Sequence, residues 1–183
     1  MIVIVFGLPG SGKSYFAIRV AQMLNAKYIN SDCVRKEIFA KPAYSSKSKA
    51  LVYDEMLRRT IELVEHGKEV VLDATFYLND LRQKFIDEAR ELTNVFWIEV
   101  IAEENLVKER LTKSREDSDA NFELYQMLKS QWQPFNNTHL ILESTNNNIL
   151  NMLEQTADYL FQQMTKQNIE QLITQSIYLK SVR

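Results

Sequence analysis

The segment Gly7-Leu8-Pro9-Gly10-Ser11-Gly12-Lys13-Ser14 constrains this chain more than any other. The protein has only four glycines in 183 residues, and three of them fall here. Just before it lies the apolar, largely β-branched run Ile2–Phe6, and just after it Phe16, Val20, Met23 and Leu24 recur at helical spacing. A buried strand must therefore turn sharply into an amphipathic helix. Glycine lets main-chain N–H groups come very close to a ligand. The spacing G-x-x-x-x-G-K-[ST] is that of a loop whose amides wrap a phosphate. The helix that begins near Lys13 turns its positive end towards the same anion. Lys13 would then reach the β and γ phosphates, and the Ser14 hydroxyl would coordinate Mg²⁺. The expected site is one for ATP with Mg²⁺, lined by the eight residues from Gly7 to Ser14 and by Tyr15.

The rest of the chain alternates strand and helix signals. Further strands are expected at 27–31, 69–74, 94–102 and 138–143. Helices are expected at 33–39, stopped near Pro42, and at 46–66 with Val52, Met56 and Leu63 inward and Gly67 at its C-terminus. Others are expected at 79–91, capped by Asn79 or Asp80, and at 103–113 and 119–131. One or two closing helices follow the Asn-rich turn 144–148, with a stripe of Ile149, Leu153, Ala157, Leu160 and Met164. Strands separated by helices imply βαβ units. The expected fold is a three-layer α/β P-loop NTPase domain over 1–183. It has a five-stranded parallel sheet flanked by helices, a short lid near 110–120, and closing helices over about 149–180.

Composition narrows the class. Net charge is −2 and the pI is near 5.8, which argues against a dedicated nucleic-acid binder without excluding a local basic groove. The one cysteine, Cys33, cannot form an internal disulfide. The opening apolar run is too short for a secretory signal, and nothing approaches the roughly 18 apolar residues of a membrane span. A cytoplasmic protein without membrane attachment is expected; protein partners are not indicated.

Three further stretches suggest what receives the phosphate. In 30–39, Asp32 and Arg35 lie one helical turn apart, just past the second strand and on the P-loop's edge of a parallel sheet. Asp32 could accept a hydroxyl proton and Arg35 could hold a substrate phosphate or carboxylate. The plainer alternative is that Ser31 or Asp32 caps a helix. In 70–85, Asp73 ends an apolar strand as a Walker B aspartate does, so it is a metal candidate with Ser14. Thr75 follows on the same edge, and Arg82 lies in the next helix, either at the substrate or on the surface. In 109–122, Arg110, Lys113 and Arg115 suit a lid that neutralises charge on the transferred phosphoryl group. Asp117 or Ser118 could cap the helix that follows. Tyr53 either lines the acceptor pocket or belongs to the core.

The runs GLPGSGKS, SDCVRK, VYDEML, EVVLDATF with Arg82, and ERL with a later SDA together resemble the P-loop kinase family of phage-type polynucleotide kinases. Zeta-toxin and gluconate-kinase-like enzymes are its wider relatives. The resemblance covers roughly residues 2–142. It implies that Asp32 is the general base on the accepting hydroxyl, that Arg35 contacts substrate phosphate and that Asp73 helps to position the acceptor. It also implies that Arg110 and Arg115 bind donor phosphates. Position 114 is Ser where family lids repeat arginine, so Lys113 is an alternative to Arg115. Ser31 stands where polynucleotide kinases tend to have a basic residue. The expected activity is transfer of the γ-phosphoryl of ATP to a hydroxyl, with Lys13, Asp32, Arg110 and Arg115 catalytic and Asp32, Arg35, Asp73, Thr75 and Arg82 at the substrate. The acceptor is a small molecule or a 5′-OH nucleic-acid end. The rivals are a nucleotide-dependent switch or toxin-like module acting through a partner, and a nucleoside-monophosphate kinase.

Overall fold

The computed structural model describes residues 1–40, 45–112 and 121–181, with side chains through residue 167. Pro42, Lys113, Arg115, Asp117 and Ser118, and with them most of the expected lid, lie outside the described residues. The elements are β1 (Ile2–Phe6), α1 (Lys13–Met23), β2 (Lys27–Asn30), α2 (Ser31–Ile38), α3 (Ser46–Glu65), β3 (Val70–Ala74), α4 (Asn79–Ala89), β4 (Val95–Ile101), α5 (Glu104–Thr112), α6 (Phe122–Ser130), β5 (Leu140–Glu143) and α7 (Ile149–Ser181). The strands form one parallel five-stranded sheet in the order β2-β3-β1-β4-β5. β1 and β3 are buried along their whole length, as strands covered on both faces must be. No described helix is long and apolar enough to cross a membrane.

Alternate residues of the central strands feed two cores. Ile2, Ile4, Phe6, Val70, Leu72 and Ala74 pack with Val52, Met56 and Leu57 of α3 and Phe85 of α4. Val3, Val5, Val71, Ile98 and Val100 pack with Phe16, Ala17 and Val20 of α1 and Met152 and Leu160 of α7. The register is the part of the fold that matters most for the site. Asp73 of β3 stands opposite Val5 on one side and Asn30 on the other. The exits of β1, β2 and β3 therefore lie in a row, about 5 Å apart from strand to strand.

Several expectations need correction. α2 begins at Ser31, two residues early, because Asn30 caps it. α4 begins at Asn79 with Leu78 as its N-cap residue and no side-chain cap, so neither Asn79 nor Asp80 caps it. Of the one or two closing helices expected, the described residues form one, α7; Ile149, Leu153 and Leu160 of the expected stripe pack inward with Met152 and Thr156, while Ala157 and Met164 face solvent. Met23 is exposed, its place on α1 taken by Ala17 and Ala21.

Arg82 is neither a surface arginine nor open to a substrate. It is 1% exposed, in the core between Phe6, Trp132 and Phe135, whose ring centroids lie 5.0–5.2 Å from its guanidinium carbon. Nε donates to Phe76 O at 2.6 Å, and Nη1 to Gln133 O at 2.6 Å and Asn79 Oδ1 at 2.8 Å. Its role is to tie the segment after α6 to the turn after β3, with Gln133 N donating to Tyr77 O alongside. Burial lowers its pKa. Arg82→Met keeps the side-chain bulk but orphans two carbonyls, at roughly 1–3 kcal/mol each. A loss of at least about 2 kcal/mol in urea unfolding is expected; unchanged stability would refute the structural role.

Candidate active site

The P-loop needs its glycines for two separate reasons. A Cβ on Gly7 would come 2.3 Å from the main-chain oxygen of Val100, which the sheet holds fixed. Gly12 has φ +92, a left-handed conformation that side chains rarely adopt. Gly12 is the N-cap residue of α1, and no side chain caps the helix or places an acid in its first turn. α4, which also lacks a side-chain cap, has Asp80 in its first turn. α2, α3 and α6 are capped by Asn30, Ser45 and Asn121. The positive end of α1 is left for an exogenous anion, with Lys13 and Ser14, both half-buried, in its first turn. In the loop, Ser11 and Pro9 are buried and Leu8 half-buried. The Tyr15 ring is 56% exposed and lies 3.4 Å from the Arg19 guanidinium carbon.

Arg110 approaches the P-loop from α5. Its Nη1 donates to Gly10 O at 3.3 Å, Ser11 O at 3.2 Å and Ser144 Oγ at 2.8 Å, and Nη2 to Asn146 Oδ1 at 3.3 Å. Ser144 Oγ donates to Ser11 O as well. In a trans peptide the N–H points opposite the C=O. Pinning Ser11 O therefore aims the Gly12 N–H the other way. Arg110 thus acts on the loop's carbonyls, a role the lid reading of 109–122 did not anticipate.

Asp73 is fully buried at the end of β3. Tyr28 Oη and Asn30 Nδ2, both from β2, donate to its Oδ2 at 2.6 Å each. Its other oxygen, Oδ1, is buried without a hydrogen-bond partner among the described residues. A buried carboxylate oxygen left unpaired, with a serine hydroxyl at the P-loop helix start, is a donor set that fits a hard cation such as Mg²⁺. Burial, and after it the Asp73 charge, pushes the Tyr28 phenol well above its usual range, so it stays a donor.

Asn30 works on two groups at once. Its Oδ1 accepts from the main-chain N–H groups of Asp32 at 2.9 Å and Cys33 at 3.0 Å, while its Nδ2 holds Asp73. Capping is therefore done by Asn30, not by Ser31 or Asp32. The Asp32 carboxylate makes no hydrogen bond with a described residue. Burial raises its pKa; Lys13 pulls it down, Asp73 pushes it up, and Arg35 and Lys36 pull it down. The charges of Lys13 of α1, Asp73 of β3, and Arg35 and Lys36 of α2 all lie near enough to act on Asp32.

Arg35 is 7% exposed. Thr75 is half-buried immediately past β3. Tyr53 belongs to the core and to the site's edge together: it is buried, and its hydroxyl accepts from Phe76 N–H at 3.1 Å. Sequence reasoning missed Tyr28, Asn30, Ser144 and Asn146. The one available signal was an Asn directly before a helix start, a favoured cap.

Residues 2–134 match the family described as an AAA domain, and the chain belongs to that family. An uncharacterized protein of Mycobacterium tuberculosis is 34% identical over 87 residues, 41% of this chain and 18% of that protein. The match thus spans under a fifth of the length of these curated relatives. Among solved structures, the APS kinase of Mycobacterium tuberculosis in complex with AMPPNP and APS has a TM-score of 0.69 at 19% identity, covering 87% of this chain and 96% of that one. A gluconokinase from Sinorhizobium meliloti has a TM-score of 0.64 at 16% identity, covering 88% and 95%. The fold is thereby that of the P-loop kinases.

Asn30→Ala removes the cap of α2 and one of the two donors to Asp73. A cap is worth about 1 kcal/mol. The variant should lose at least about that in urea unfolding, and Tyr28→Phe with it should cost more than the sum of the two. Strict additivity would show that the two donors do not act on one carboxylate.

Proposed function

We propose that the protein is an ATP- and Mg²⁺-dependent kinase that transfers the γ-phosphoryl group to a hydroxyl, either of a small molecule or of a 5′-OH nucleic-acid end. The observation that carries this reading is the Asp32 carboxylate, relieved of capping by Asn30 and set near Lys13 and Asp73. A nucleotide holder or switch has no need of an uncommitted carboxylate there; transfer to an alcohol does. The kinase-type fold and the kinases among the structural neighbours support it.

In the proposed mechanism the amides of the P-loop and the start of α1 receive the triphosphate, with Lys13 neutralising its outer phosphates. Ser14 and Asp73 would hold Mg²⁺, which when bound neutralises charge on the phosphates. Tyr28 and Asn30 fix the Asp73 carboxylate by one oxygen. Asp32 accepts the proton of the attacking hydroxyl, and Arg35 holds the acceptor near it. Arg110 sets the direction of the loop amides; Arg115, or Lys113 in its place, is assigned to the donor phosphates as the resemblance implies, and Thr75, just past β3, to the acceptor. A cytoplasmic location fits this chemistry.

The test is label transfer from ATP radiolabelled at the γ-phosphate to a panel of sugars, nucleosides and 5′-hydroxyl oligonucleotides. Asp32→Asn should lower kcat by on the order of 10²–10⁴ while ATP binding persists. A rate equal to wild type removes Asp32 from the mechanism, and hydrolysis with no labelled acceptor favours a switch. The pH dependence has a definite sign. Burial raises Asp32 above 3.8, so between that value and its raised one the folded protein holds more protons on it than the unfolded chain. Its contribution to stability falls as pH rises through that window and stays unfavourable at neutral pH. Asp32→Asn should therefore raise Tm at pH 7 while lowering kcat, and the acid limb of wild-type kcat should lie above the ordinary aspartate range.

A further inference from the structure

We propose that the outward face of α7 is a dimerisation surface and that its occupant is a second copy of this chain, whose own α7 lies against it antiparallel. α7 lies wholly outside residues 2–134, the part of the chain that matches the family, and none of its residues belongs to the candidate active site.

α7 is longer than the sheet it packs on. Its 33 residues span about 50 Å, whereas β4, the longest described strand, has 7 residues and spans roughly 23 Å. Met152, Thr156 and Leu160 are buried against the domain. Among the described side chains, which reach residue 167, none of α7 beyond Leu160 belongs to the core. The helix nevertheless runs on for roughly six more turns, to Ser181. A helix in water draws most of its stability from packing an apolar face. The outward face of α7 has one. Leu150 is 74% and Phe161 73% exposed, and Ala157 and Met164 are exposed with them. Successive steps of seven, four and three positions keep these residues on one side of the helix. In the sequence, Leu172 and Leu179 continue the same spacing. Exposed apolar residues scattered singly are ordinary, but a row of them along one helix face marks an interaction surface.

The charge pattern selects a second copy and also its direction. From Ile149 to Met164 the charged residues are Glu154 and Asp158, both acidic. From Thr165 to Arg183 they are Lys166, Glu170, Lys180 and Arg183, a net positive set. Glu154, Asp158 and Lys166 are exposed, and none forms an ion pair with a described residue. The acidic half of one copy therefore complements the basic half of the other when the two helices run antiparallel. In a parallel pair, like charges would meet. The apolar line suits the same arrangement. Turned end for end about Met164 and Thr165 it falls on itself, with position 150 opposite 179 and position 157 opposite 172. A two-fold interface requires that kind of self-complementarity, because every contact of i with j recurs as j with i.

The experiment is analytical ultracentrifugation of the full chain over a range of concentrations. The protein should sediment as a dimer, at twice the chain mass of 21.4 kDa, with a dissociation constant of roughly 10 μM or tighter. Phe161→Glu and Leu150→Glu each put a charge into the apolar contact and should raise that constant at least about tenfold. Met127→Glu, at an exposed apolar position of α6, should leave it unchanged. Circular dichroism checks that each variant is folded, and should one of the α7 variants fail to fold, the other decides. Glu154→Lys with Asp158→Lys should also weaken the dimer, and adding Lys166→Glu and Lys180→Glu to the same chain should restore it. A parallel pair would respond to neither change. A monomer at every concentration up to about 100 μM overturns the proposal and leaves the face to a partner of another kind. A dimer that neither α7 glutamate variant weakens overturns it too, since the contact then lies elsewhere. A dimer weakened by both glutamate variants but indifferent to charge reversal overturns the antiparallel arrangement.

Discussion

Two side chains of β2 grip one oxygen of a buried carboxylate, and the geometry of the site hangs on that grip. Asp73 is fully buried, so a free-standing charge there would be expensive. Tyr28 and Asn30 supply two short hydrogen bonds to Oδ2. They can do so because they are alternate residues of a strand, hence on one face, and because Asn30 stands opposite Asp73 in the ladder. A slip of one residue would turn both away. The hydrophobic residues that set the register, Ile29 towards one core and Val71 towards the other, thereby also set where the carboxylate points.

The same asparagine settles how charge is divided between two neighbouring helix starts. By capping α2 with its oxygen, Asn30 leaves Asp32 free of structural duty in the first turn. α1 has the opposite treatment: Gly12 offers no cap, and the adjacent Lys13 adds a positive charge. One helix start is satisfied internally and presents a carboxylate, and the other is unsatisfied and presents a cation. That polarity suits a phosphoryl group lying between them. Arg110 reinforces it from behind, since bonds to the loop's carbonyls orient the peptide groups whose N–H bonds face the other way.

Much of the fold was legible because it rests on local periodicity. Four of the five strands were largely apolar runs and Lys27–Asn30 a weaker signal, the P-loop helix followed a fixed motif, and Gly67 marked the end of α3 with φ +69. What escaped depended on partners distant in sequence. Asn30 could be seen as a cap, but its bond to Asp73 spans 43 positions and requires the ladder register. Arg110 lies 99 positions from Ser11, so a cluster of basic residues read as a lid when one member grips the loop itself. Arg82 looked like a surface or substrate arginine because arginine is seldom fully buried. Its three aromatic neighbours come from β1 and from the stretch after α6. On α7 the stripe was displaced by small polar residues: Thr156 is buried because its hydroxyl bonds back to Met152 O, which a hydropathy pattern does not register.

The burial of Arg82 also explains an awkward turn. Phe76 has φ +46, a left-handed conformation that is a genuine outlier for a bulky aromatic residue and costs of order 1–3 kcal/mol. Both of its main-chain groups are held. Tyr53 accepts its N–H and Arg82 donates to its C=O. Its ring is locked edge-on against Tyr53, Phe85 and Trp97. The strain persists because these contacts leave the residue no alternative. The kink it imposes lies three residues past Asp73, so the chain leaves the strand abruptly, with Thr75 before the kink and Tyr77 after it. Asp73 must stay in the ladder to be gripped by β2, while Tyr77 must reach α3 to meet Lys49. A turn of this tightness satisfies both demands, and the buried arginine is what holds it.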